Sequence, residues 1–448
     1  MFKKVLIANR GEIAVRIIRA LKELDVGSVV VYSEVDKESA AVQMADESIC
    51  VGPGPAAQSY LMVPSIISAA LSRGAEAIHP GYGFLSENAA FARTVADNGL
   101  VFIGPAAESI ELMGDKNVAR ETMKRIGVPT VPGSEGSLNS ADEALQIAEQ
   151  AGFPVLIKAS AGGGGRGMRE VHEASQMADA YGAAKAEAEA AFGNGEVYLE
   201  KLVLRPRHIE IQVLADALGH AVHLGERDCS IQRRHQKLLE ESPSPAVSPE
   251  LRIRMGEAAL AAVHEVNYIG AGTVEFLLDQ DSNFYFMEMN TRIQVEHPVT
   301  EFVTATDLIK EQVRVAAGEP ISFLGRGQIE PLGHAIEFRI NAEDPERGFM
   351  PCPGKISALR LPAGPGVRID THLMPGYTVP ATYDSLVAKL VVWGIDRAEA
   401  IARGKRALDE LCIEGIQTTA SFHRWLLDQP DFVAGEACTD FIPKHGLE

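Results

Sequence analysis

Residues 273–290 read TVEFLLDQDSNFYFMEMN. Two arms rich in Val, Phe, Leu and Tyr flank Gln280-Asp281-Ser282-Asn283, so the stretch reads as an antiparallel hairpin. A turn centred between Asp281 and Ser282 sets Glu275 opposite Glu288. Like charges directly across a sheet destabilise it, so this pair requires a bridging cation. Asn290 shares a strand face with Glu288 because side chains alternate. Oxygen-only donors on rigid strands suit Mg²⁺ shared with substrate phosphates. The alternative is a solvated polar face; Phe284, Phe286 and Leu277, placed by the same alternation on the outward set, favour the metal.

Downstream of the hairpin lies Arg292-Ile293-Gln294-Val295-Glu296. Read as an extended strand, it carries a cation, an amide and a base on one face, able to hold a small planar oxyanion and deprotonate it. Surface strands show the same alternation; nearness to the hairpin favours the chemical reading. Upstream, Gln232-Arg233-Arg234-His235-Gln236-Lys237 is a basic cluster in an acidic chain, whose plain alternative is a solvated run. The apolar run 155–158 ends on Lys158 and leads into AGGGGRG at 161–167. Consecutive glycines carry a large conformational entropy, which phosphate binding by bare amides and movement as a lid would offset. Neither a P-loop nor a dinucleotide fingerprint fits that spacing and mid-chain position. A flexible surface loop is the reading for glycines alone; Lys158, Arg166 and Arg169 beside them favour phosphate. Lys116 opens a helix, and a lysine pair around a glycine lid helps neutralise a polyphosphate.

From residue 3 to about residue 104, apolar runs (VLIA, SVVVYS, AIHP, LVFIG) alternate with helical patterns, which predicts a parallel sheet flanked by helices. Residues 115–202 read as a small hinged unit of helices, the strands PVLIK and EVYLEK, and the glycine loop. Beyond 203 the strands HIEIQVLAD, AVHLGER, GTVEFLLD, FYFMEMN, GHAIEFRIN, KISALRL and DSLVAKLVVW follow through short turns that permit antiparallel pairing. The fold class is therefore α/β followed by α+β.

At 448 residues the chain has length for about three domains. Its 46% hydrophobic and 23% charged content is that of an ordinary globular protein, which excludes disordered and fibrous classes. With 61 acidic against 42 basic residues the net charge is −19, so nucleic acid and anionic lipid are not expected partners. Five scattered cysteines without a CxxC indicate neither a disulfide framework nor a zinc site and suit a reducing cytoplasm. The N-terminal apolar run is too short for a signal segment, and no stretch reaches the roughly 18 apolar residues of a membrane span.

The motifs IANRGEIAVRIIRA, HPGYGFLSEN, LMGDK, IKASAGGGGRGMR, ERDCSIQRRHQK, EMNTRIQVEHPVTE, EFRINAEDP and YDSLVAKL, in this order, resemble the biotin carboxylases of the ATP-grasp superfamily over essentially the whole chain. The resemblance implies an ATP-grasp fold: a Rossmann-like N-terminal domain (1–114), linker helices and a mobile lid (115–202), an ATP-grasp core (203–330) and a C-terminal domain (331–448). It implies that Lys116 and Lys158 hold ATP phosphates under a lid containing Gly163, Gly164 and Gly165. Glu200 and the Lys201 backbone would meet adenine, and His208, Gln232 and His235 would surround the nucleotide. Glu275, Glu288 and Asn290 would bind Mg²⁺, with Mn²⁺ as a substitute. Lys237, Arg292, Gln294, the Val295 backbone and Glu296 would hold bicarbonate, Glu296 as base. Arg339 would stabilise the biotin enolate, with Tyr82 and Gly83 near the biotin ring and Asp384 on the late strand.

The implied reaction is ATP-dependent carboxylation of biotin through carboxyphosphate, for acetyl-CoA carboxylase or for another acyl-CoA or pyruvate carboxylase. The single Met-Lys pair, Met123-Lys124, sits in a predicted helix, so biotin is expected on a separate carrier protein, with carboxyltransferase subunits as further partners. Arg19 and Glu23 match the family's dimer surface, whereas Gly364-Pro365-Gly366 lacks a bulky residue found there in some members. Ser242 stands where alanine is common. Two rivals remain: an ATP-grasp ligase that activates an amino acid or carboxylic acid, and a nucleotide-binding scaffold without turnover.

Overall fold

The alternating N-terminal runs form a five-stranded, all-parallel sheet in the order Glu47–Gly52, Gly27–Ser33, Lys4–Ile7, Ala77–His79, Val101–Phe102. The edge strand Glu47–Gly52 has too short an apolar run to stand out in the sequence. This computed structural model describes residues 1–160, 168–327 and 329–447, so Gly163, Gly164, Gly165 and Arg166 lie outside the described residues. Helix Gly11–Glu23 buries Ile13, Ile17, Ile18 and Leu21 against the sheet, as its 3.6-residue spacing requires. From the central strand Lys4–Ile7 the chain first builds one side of the sheet and then the other, and such a reversal opens a crevice at the strands' carboxyl ends. The loops there carry Asn9-Arg10-Gly11 and Tyr82-Gly83, all on the main cleft. The Asn9 amide donates to the Pro80 and Tyr82 carbonyls at 2.7 Å each, which pins the second loop. Gly81 has φ +64°, and a Cβ there would lie 2.9 Å from Asn9 Nδ2, so a side chain would disrupt this clamp.

Helices Lys116–Arg125 and Ala141–Ala151 lead to a three-stranded antiparallel sheet with Val155–Ala159 between Arg169–Val171 and Val197–Lys201. Helix Met177–Phe192 covers it. Ala144, Ala148, Val155, Ile157, Val171, Val197 and Leu199 make a core of their own for this unit.

The later strands form one eight-stranded antiparallel sheet in the order Phe284–Asn290, Gly270–Leu278, Arg207–Ala215, Ala221–Arg233, Gln236–Ser242, His334–Asn341, Leu386–Gly394, Val367–Thr371. It runs without a break across residue 330, because Gln236–Ser242 pairs with His334–Asn341. The segment expected as the strand KISALRL instead forms two short pieces, Gly354–Lys355 and Ala358–Arg360, in separate two-stranded ladders. All five cysteines are unpaired thiols. No helix among the described residues is long and apolar enough to cross a membrane.

Candidate active site

A cleft of about 1420 Å³ lies between the parallel sheet, the three-stranded unit and the large sheet. Lys116, Lys158, Glu200, Lys201, His208, Gln232, His235, Lys237, Glu275, Glu288, Asn290, Arg292, Gln294, Val295, Arg339, Tyr82, Gly83 and Asp384 all line it. Glu296 lies directly beneath, fully buried.

On one wall, Glu275 pairs directly with Glu288 and Thr273 with Asn290. Nearer the turn the pairs are Phe276–Phe286, Leu277–Tyr285 and Leu278–Phe284, so a bulge intervenes and the turn centres on Asp281 itself. The extra residue, Met287, reverses the expected facing of the outer half. Phe284 and Phe286 lie in the core with Phe276, Leu278 and Met289. Leu277, Met287 and Glu288 line the cleft. Bulges re-aim side chains in this way beside active sites.

The donor set fits a hard divalent cation: two carboxylates and an amide oxygen on paired strands. Cationic and amide groups already surround it. Glu275 Oε1 accepts from Asn290 Nδ2 at 2.8 Å and Lys237 Nζ at 2.9 Å, and His208 Nε2 lies 2.8 Å from Oε2. Glu288 Oε2 lies 3.2 Å from Lys116 Nζ. Burial alone would raise the Glu275 pKa, but Lys237 and His208 overcome it and hold the carboxyl well below its usual range. Among the described residues, ligand-type atoms also lie within 4.8 Å of one another in His208–Glu210–Glu275 and in Glu210–Cys229–Glu296.

The segment from Arg292 to Glu296 is not the extended strand expected. It bends, and Glu296, at φ −80° and ψ 9°, caps helix His297–Thr304, with Pro298 in the first turn where its missing N–H is no loss. Arg292 and Glu296 therefore share no strand face; the fold brings them to one place. Arg292 donates to Glu87 at 2.8 Å, Gln294 Oε1 at 3.1 Å and Asn290 Oδ1 at 3.1 Å. The Val295 carbonyl accepts from buried Lys389 at 2.7 Å.

Glu296 sits between two cations: Lys237 Nζ at 2.7 Å and Arg339 Nη2 at 2.8 Å. Burial raises the pKa of such a carboxyl, yet Lys237, Arg339 and Arg227 prevail and hold it well below its usual range. Lys237 also meets Glu210 at 2.5 Å, and its three carboxylates hold its pKa well above normal against the opposing effect of burial. Asp384, expected on the late strand, is exposed and precedes Leu386–Gly394, where its Oδ1 accepts from Leu386 N at 2.9 Å. The Tyr82 hydroxyl bonds Glu12.

At the other end, Lys158 Nζ lies 2.5 Å and Arg120 Nη1 3.4 Å from the Glu200 carboxylate. Lys201, which lines the cleft, turns its amine to the Gly152 and Phe153 carbonyls at 2.8 and 2.9 Å. Gln232 Nε2 lies 2.7 Å from His208 Nδ1. His235, exposed at φ +65°, sits in the turn between the strands that carry Gln232 and Lys237.

Sequence reasoning passed over Glu210, Arg227, Glu240 and Lys389, all fully buried beneath the cleft. A signal existed for Glu210: in HIEIQVLAD, His208, Glu210 and Gln212 alternate with Ile209, Ile211 and Val213, so one face of an internal strand is polar.

Residues 1–110 match the family model "Biotin carboxylase, N-terminal domain", 115–324 "Carbamoyl-phosphate synthase L chain, ATP binding domain", and 337–444 "Biotin carboxylase C-terminal domain". A biotin carboxylase of Nostoc sp. is 58% identical over 98% of this chain and 98% of its own. The chain belongs to the biotin carboxylase family. Solved biotin carboxylase structures are among its structural likenesses. The biotin carboxylase–β-γ-ATP complex from Campylobacter jejuni has 48% identity and a TM-score of 0.93 and covers 99% of both chains. The biotin carboxylase domain dimer of Hydrogenobacter thermophilus 2-oxoglutarate carboxylase, in complex with MgADP, ADP and bicarbonate, has 49% identity and a TM-score of 0.91 and covers 100% of this chain and 98% of that one. As a biotin carboxylase family member with the ATP-grasp architecture, the chain is a ligase-type enzyme.

Proposed function

We propose that this chain carboxylates biotin, borne on a carrier protein, with ATP and bicarbonate. The observation that carries this reading is the convergence of Lys237 and Arg339 on buried Glu296, next to the Glu275–Glu288 pair in one cleft. In this reading Lys116 and Lys158 take the ATP phosphates, and Glu200 and the Lys201 backbone meet the base. Glu275, Glu288 and Asn290 would hold Mg²⁺ or Mn²⁺, which when bound neutralises the charge of the transferring phosphoryl group. Lys237, Arg292, Gln294 and the Val295 backbone hold bicarbonate, and Glu296 takes its proton. Lys237 and Arg339 keep Glu296 ionised until bicarbonate arrives, so that it is free to accept the proton.

The deprotonated bicarbonate attacks the γ-phosphate and ADP leaves. Carboxyphosphate then parts into CO₂ and phosphate, phosphate takes the ureido N1 proton of biotin, and the enolate attacks CO₂. Arg339 stabilises the enolate oxygen, with Tyr82, Gly83 and Asp384 at the ring. A biotin carboxyl carrier protein and carboxyltransferase subunits are the partners proposed, and a homodimer through the surface of Arg19 and Glu23. The five unpaired thiols suit a reducing compartment, here the cytoplasm.

The test is ATP cleavage that requires bicarbonate and is stimulated by free biotin. A ligase acting on an already ionised carboxylate would cleave ATP without bicarbonate, and a scaffold would not turn over at all; either result would sink the proposal.

A further inference from the structure

Arg339 has two carboxylate partners, and the reaction needs one of them to let go. On one side is Glu296, with Oε2 2.8 Å from Nη2. On the other is Glu240, whose Oε1 accepts from Arg339 Nε at 2.5 Å and makes an ion-pair contact with Nη2. Glu240 is fully buried in strand Gln236–Ser242, is not among the cleft-lining residues, and stands directly opposite Glu337 on the strand that carries Arg339. It touches the guanidinium from behind.

We propose that Glu240 is the positioning residue for Arg339: it holds the guanidinium through the whole reaction, so that Nη2 stays aimed at biotin when Glu296 releases it. The inference rests on the biotin carboxylation reading. Once Glu296 has taken the bicarbonate proton it is neutral, and its bond to Arg339 loses its charge assistance. That frees an N–H for the enolate oxygen at the step that requires it. A guanidinium anchored by Glu296 alone would at that moment have no anchor; Glu240, through its hydrogen bond from Nε, keeps one.

Stability alone does not account for a carboxyl here. Glu240 Oε2 and both oxygens of Glu337 have no hydrogen-bond partner among the described residues, and buried orphan oxygens are unfavourable. Burial pushes the Glu240 pKa up to about 7, against the pull of Arg339. What Arg339 receives from Glu240 is a hydrogen-bond acceptor at fixed reach.

The test compares Glu240→Ala, Glu240→Asp and Glu240→Gln for two rates in the same enzyme: bicarbonate-dependent ATP cleavage, and carboxylation of free biotin. Misplacement of a catalytic group by about 1 Å lowers a rate on the order of 10²-fold, so biotin carboxylated per ATP cleaved should fall by that order in Glu240→Ala. Glu240→Asp keeps a carboxyl but withdraws the acceptor by one methylene, and should fall likewise. Glu240→Gln offers an oxygen at the original reach and should restore most of the ratio. An unchanged ratio in Glu240→Asp, a Glu240→Gln as impaired as Glu240→Asp, or parallel loss of both rates across the series would overturn the proposal. If Glu240→Ala does not fold, the Asp and Gln variants, close to the parent in volume, decide it by the same outcomes. A parent enzyme whose ATP cleavage ignores bicarbonate would instead overturn the function reading, and this inference with it.

Discussion

Glu288 stands opposite Glu275 because its strand carries one extra residue, Met287, between the turn and the carboxylate. The register near the turn would otherwise set Met287 against Glu275, with no second carboxylate in that place. The bulge thus assembles the divalent-cation donor set while leaving Phe284 and Phe286 in the core.

Glu288→Gln should therefore lose metal-dependent turnover and keep the fold. Glu288 is partly exposed, with a side-chain accessibility of 37%, and its ion partner is the exposed Lys116, so the melting temperature should barely move. ATP turnover at low Mg²⁺ should drop by at least the order of 10²-fold that even loss of an outer-shell partner can cost. Parental turnover at limiting Mg²⁺ would show that the opposed pair does not hold the ion.

Arg339→Ser should separate the two half-steps. The guanidinium cannot act as a base near neutral pH but can stabilise negative charge on the ureido oxygen. Biotin carboxylation should be lost while part of the bicarbonate-dependent ATP cleavage survives. Equal loss of both would assign Arg339 to the phosphate end of the cleft or to the fold.

Glu296→Gln preserves shape and leaves Lys237 and Arg339 with an amide oxygen. Nucleotide should still bind, measured by calorimetry. Bicarbonate-dependent cleavage should fall by roughly 10²-fold to 10⁴-fold, as for loss of a general base. Near-normal turnover with bicarbonate saturating would remove Glu296 from the mechanism.

Acid stability should report a second buried site. His334 and Arg397, against the effect of burial, hold Glu241 down at about 2 from its ordinary 4.5. The folded state thus binds its proton later than the unfolded chain, so the stabilisation is complete above about pH 4.5 and is lost as pH falls towards 2. Such a shift corresponds to about 3 kcal/mol at most. Glu241→Gln should melt well below the parent at pH 7 and converge on it only as pH falls towards 2; a gap that stays constant with pH would rule out this linkage.

What the sequence determined by itself are the features that depend on neighbours in the chain. Alternation of apolar runs with helical spacing led to the parallel N-terminal sheet, and short turns between strands led to the antiparallel one. The hairpin and its pairing of Glu275 with Glu288 were legible, although the alternation that placed Phe284 and Phe286 beside Glu288 breaks at Met287. A bulge depends on how the strand packs, not on which residues it contains. The bend from Arg292 to Glu296 escaped for the same reason, since an alternating polar segment reads as a strand until a following helix claims its end. Only the tertiary structure decided what surrounds Glu296. Lys237 and Arg339 reach it from two adjacent strands, with Glu240 behind Arg339. Sheet pairing brings together residues far apart in the chain, and burial in low dielectric turns their charges into a coupled network. No local pattern in the sequence encodes that coupling, because each of these side chains, read alone, is an ordinary charged residue on a strand.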